Sequence, residues 1–84
     1  MTKNMHNQVV EFYKTRDHQI SSLLYAVGQV LDSSFWENGN CYFVFENKSQ
    51  CEAIIANYYK GQVTLNARAI FEAIKTIKGI ILSR

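Results

Sequence analysis

Proline is absent from this chain, and only four glycines and two cysteines interrupt its 84 residues. Without proline there is no rigid spacer and no polyproline recognition segment, and no glycine- or serine-rich linker divides the sequence. Formal charge is scarce in either sign: nine basic against seven acidic side chains give +2, too little to imply a polyanionic partner. Long hydrophobic runs are missing too, since no window approaches the roughly 18 apolar residues that a membrane span needs. The opening residues Met1 to Gln8 are polar and lack the apolar stretch of a signal peptide. The expectation is a disordered tail over 1–8, then a single domain over 9–84 in the cytoplasm. What the chain does have is apolar bulk, 48% of its residues, enough for one core with little margin.

The cysteines, Cys41 and Cys51, form no C-x-x-C pair and have no neighbouring histidine. Cys41 alternates with Phe43 and Phe45, and Cys51 opens an apolar helical stripe. Both are expected to be reduced, buried thiols that pack as small hydrophobes. With two histidines and no clustered carboxylates, no four-ligand metal set can be assembled. The glycines do not form a phosphate-binding loop, and His18 beside Asp17 lacks a placed nucleophile. The reading is a protein that is not an enzyme, with no cofactor, no metal and no catalytic residue.

The strongest local signal is Asn38-Gly39, set between the aromatic-rich runs Val30 to Trp36 and Cys41 to Phe45. Asparagine-glycine favours the two-residue turn of a β-hairpin, because both positions tolerate positive φ. That turn pairs Trp36 with Cys41 and Phe35 with Tyr42. One face then carries Val30, Trp36, Cys41, Phe43 and Phe45, and the other carries Leu31, Phe35, Tyr42 and Val44. The first face has more apolar bulk and is taken as core.

Around the hairpin, Val9 to Lys14 reads as a first strand rich in β-branched and aromatic residues. Asp17 has the chemistry of a helix N-cap, and Ile20, Leu23, Leu24 and Val27 follow at the spacing of one helical face, with Gly28 as the stop. Asn47 or Ser49 caps a second helix. With Asn47 as cap, Gln50 falls at the capping-box position; Cys51, Ile54, Ile55 and Tyr58 form the stripe, and Gly61 ends it. Asn66 caps a third helix that buries Ile70, Phe71, Ile74, Ile77 and Ile81, with Gly79 on its outer side. The order is β-α-β-β-α-α, an α+β fold with three helices against a small sheet.

Three functional readings follow. The hairpin's second face holds two aromatics and two aliphatics with little polar relief, as a contact surface does. This points to a protein-protein interaction domain using Phe35, Tyr42, Val44 and Tyr59, with Arg68 and Lys75 as a polar rim. A nucleic-acid-binding module would instead use the last helix and Tyr59, but Glu72 between Arg68 and Lys75 dilutes any phosphate-binding face. The occupant of the first surface would be a partner protein or a second copy in a homodimer; the third reading is a purely structural homo-oligomer subunit.

Tyr13-Lys14-Thr15-Arg16-Asp17, Phe43-Val44-Phe45-Glu46, Tyr58-Tyr59-Lys60-Gly61 and Ala67-Arg68-Ala69-Ile70-Phe71-Glu72-Ala73-Ile74-Lys75 occur in this order. The arrangement resembles a family of short prokaryotic and phage domains of unassigned function, over about residues 12 to 82. Tyr59 stands where that pattern more often has tryptophan, and Gly79 interrupts the last helix. The resemblance implies an accessory protein of bacteria or their phages, binding a host protein, and supplies no catalytic residue.

Overall fold

A computed structural model describes residues 11–83. The tail expected over 1–8 lies outside the described residues, as do Val9 and Val10 of the expected first strand. Strand β1 (Phe12–Thr15) leads to helix α1 (His18–Val27), the hairpin strands β2 (Leu31–Glu37) and β3 (Asn40–Glu46), then α2 (Lys48–Tyr59) and α3 (Ala67–Leu82). The order is the β-α-β-β-α-α expected. The sheet is antiparallel with β3 in the middle, in the order β1-β3-β2.

Local chemistry sets most boundaries. Asn38 and Gly39 both take positive φ, 52° and 80°, as a two-residue hairpin turn requires. Asp17 accepts from the Ile20 amide at 2.9 Å and starts α1. Gly28, at φ 103°, stops it: the Gly28 and Gln29 amides return to Tyr25 and Leu24 carbonyls. Asn47, not Ser49, caps α2. Its side chain accepts from the Gln50 amide and donates to the Gln50 side chain, so the pair at the expected capping-box positions closes through the two side chains. Gly61 and Asn66 close α2 and open α3 as expected, Asn66 accepting from the Arg68 and Ala69 amides.

The core lies between the sheet and the helices. Phe43, Phe45 and Cys41 of β3 project into it and meet Leu23 and Leu24 of α1, Cys51 of α2 and Ile77 of α3. This is the hairpin face with more apolar bulk. Ser21 and Ser22 are also buried, and each hydroxyl donates to the carbonyl four residues back, Asp17 and His18, so neither hydroxyl is left unpaired.

Three expectations about side-chain placement are corrected. The β2–β3 ladder slips between Leu31 and Ser33, with Asp32 as the extra residue of a bulge. One added residue inverts the alternation, so Leu31 faces Phe45 and packs on the core while Val30 is 55% exposed. On α3, Phe71 is 69% and Ile74 44% exposed. The helix instead buries Ala73 and Ile77, with Ile80 and Ile81 packed against the core and Ile70 half-buried. Val27, at the end of α1, is also exposed rather than part of its buried face.

Both cysteines are buried and unbonded to each other, and Cys51 donates to the Glu46 carbonyl. Burial pushes both thiols above their ordinary 9.0, and burial, followed by the nearby Cys51, Glu52 and Asp17, pushes the Tyr13 phenol above 10.0. In the unfolded chain these groups release protons at their ordinary values while the folded chain still holds them. Their contribution to stability is therefore intact below pH 9.0 and is lost as pH rises through the folded values. The thermal midpoint is expected to be flat from neutral pH to about 8.5 and to fall beyond it. A flat midpoint up to pH 11 would contradict this assignment. Native Cys41 and Cys51 should also react with a thiol reagent at least about a hundredfold more slowly than in urea.

Candidate interaction surfaces

With all three helices on the Phe43–Phe45 side, the sheet's other face is left to solvent among the described residues. Register decides what stands there. Phe35 of β2 lies directly opposite Tyr42 of β3, and Lys14 of β1 lies opposite Val44. The Phe35 and Tyr42 rings stack at 5.2 Å between centroids, 11° from parallel. The Lys14 ammonium sits over both rings, 5.7 Å from Phe35 and 5.5 Å from Tyr42. Such a ring pair contributes about 0.5–1.5 kcal/mol, and an exposed cation over it about 0.5–1. The lysine stem thus shades the rings without closing the face: Phe35 remains 37% and Phe12 44% exposed. Glu37 and Glu46 stand at the ends of the same face, opposite Asn40 and Phe12.

Of the six residues expected to make contacts, Phe35, Tyr42 and Val44 are brought together here. Tyr59, Arg68 and Lys75 are exposed but belong to α2 and α3, in the helical layer. Tyr59 is 72% exposed, edge-on to Tyr58. Phe12 and Lys14 were missed. Their alternation along the first strand was readable, but which face they join depends on pairing with a strand some thirty residues away.

A second surface also went unseen. A groove of about 550 Å³ opens between the three helices. Leu23 and Ser22 of α1 form one wall, with His18 and Gln19 from its first turn. Ile70 and Ile74 of α3 form another, and Val63 and Leu65 of the α2–α3 link complete it with Tyr58. The Gln19 side-chain amide donates to the Tyr58 hydroxyl at 2.6 Å and ties α1 to α2 beside the groove. The only sequence clue is Val63-x-Leu65 in a link otherwise polar, which places two apolar side chains on one side of an extended segment.

Among the described residues no three or more histidine, cysteine or carboxylate side chains gather as a metal site would require. No helix there is long and apolar enough to cross a membrane. No curated protein and no solved structure matches the chain. A family model does match, over residues 10–83, and the chain therefore belongs to the domain of unknown function DUF5659.

Proposed function

We propose that this chain is a non-catalytic protein-interaction domain, a cytoplasmic accessory protein of bacteria or their phages that binds a host protein. The reading rests on one observation. The stacked Phe35–Tyr42 pair stands on a sheet face that no helix covers among the described residues. A domain of this size gains little by exposing two aromatic rings beside Val44 and Phe12, whereas aromatic anchors ringed by polar groups are what interfaces use. Lys14, Glu37 and Glu46 supply that polar border and would fix orientation more than affinity.

The test is the double substitution Phe35→Ser, Tyr42→Ser. Removing two central anchors is expected to weaken association by about 2 kcal/mol or more, roughly thirtyfold in Kd. The fold should lose only the ring pair and its cation, about 1–2 kcal/mol. Immobilised wild-type and variant chains are compared for retained host protein and, by sedimentation, for self-association. If retention and self-association are unchanged, or if the thermal midpoint collapses as it would for a core residue, the reading is wrong. A second copy of the chain as the occupant would appear as a dimer that the double variant abolishes.

A further inference from the structure

The groove between the helices is a different kind of site from the open sheet face. We infer that it binds a small, uncharged, mostly apolar molecule carrying one hydrogen-bonding group. Its volume, about 550 Å³, falls within the roughly 300–1,000 Å³ of small-molecule sites. Leu23, Val63, Leu65, Ile70 and Ile74 make its walls apolar, and no Asp, Glu, Lys or Arg lines it. No carboxylate, ammonium or guanidinium stands in the lining to meet a charged occupant, and the aliphatic walls disfavour one.

The polar lining comes from His18, Gln19 and Ser22 of α1 and from Tyr58 of α2. The His18 ring stands there with the Gln19–Tyr58 hydrogen bond, which links α1 to α2. A ligand with its polar group at this bond and its apolar body toward Ile70 and Ile74 matches the lining. The groove's walls converge on a concave space of ligand size rather than a broad flat face. The inference does not depend on the open face.

The probe is phenylnaphthylamine, an uncharged fluorophore, titrated into the full chain. Saturable binding of one molecule per chain with blue-shifted emission is expected. Ile74→Arg should weaken it at least about tenfold by placing a charge in the groove, with circular dichroism reporting the fold. Val63→Trp, which fills the groove instead, should do the same and serves if Ile74→Arg fails to fold. Phe71→Arg changes an exposed side chain of the same helix outside the groove and should leave affinity within about twofold. The Phe35→Ser, Tyr42→Ser variant should likewise bind the dye normally, so failure of the open-face reading and failure of this one are distinguishable. Anilinonaphthalene sulfonate, the charged relative of the probe, should bind at least about tenfold more weakly. Absence of saturable binding, equal loss on Phe71→Arg, normal binding by both groove variants, or tighter binding of the sulfonate would each overturn the assignment.

Discussion

Phe43→Ala is expected to remove about 3–5 kcal/mol of stability, read as a drop in the urea midpoint with unchanged slope. For a chain of 84 residues the total is roughly 4–13 kcal/mol, so the variant stands at or near the unfolding threshold. The size of the effect follows from position. Phe43 is fully buried on β3, the central strand, with its ring edge-on to His18 at 6.4 Å between centroids. Its partners across the two ladders are Thr15 and Ser34, both short. Neither can swing over to fill the space a lost ring leaves, so the cavity persists and its cost adds to the lost burial. Phe45 is equally buried, but its cross-strand partners are the larger Tyr13 and Leu31. Phe45→Ala should therefore cost less than Phe43→Ala. Equal costs, or a Phe43→Ala cost below about 1.5 kcal/mol, would mean that the core collapses around the void.

Much of the architecture was readable because its causes are local. Asn38-Gly39 needs only its own backbone to declare a hairpin, and Asp17, Asn47 and Asn66 each start a helix by bonding an amide two or three residues on. Gly28 and Gly61 stop helices for an equally local reason, positive φ. The hairpin's core face was legible because Phe43 and Phe45 outweigh Tyr42 and Val44 in bulk. What escaped depends on contacts distant in sequence. The exposure of Phe71 and Ile74 reflects how α3 packs against α1, and 3.6-residue periodicity allows more than one stripe when isoleucines are plentiful. Lys14 reaches the aromatic pair only because β1 joins β3. The groove arises where three helices and a link fail to fill the space between them, which no single segment records.

The bulge at Asp32 yields the sharpest contrast between alternation in the sequence and register in the fold. Strict alternation puts Val30 inward and Leu31 outward; the ladder does the reverse. Leu31→Asp is accordingly expected to cost about 3 kcal/mol, the loss of a half-buried leucine packed on the core plus the desolvation of a carboxylate against Phe45. Val30→Asp, at a side chain 55% exposed, should cost no more than about 0.5 kcal/mol. For a domain of this size the first lowers the thermal midpoint by roughly 12–24 °C and the second by at most about 4 °C. Reversal of that order would place the bulge elsewhere in β2. The same register change decides how much apolar surface the open face presents. With Leu31 drawn into the core, the β2 contribution to that face is Ser33, Phe35 and Glu37. The aromatic pair is thereby confined to the hairpin's turn-proximal half, between a serine and a glutamate, where a partner would have to find it.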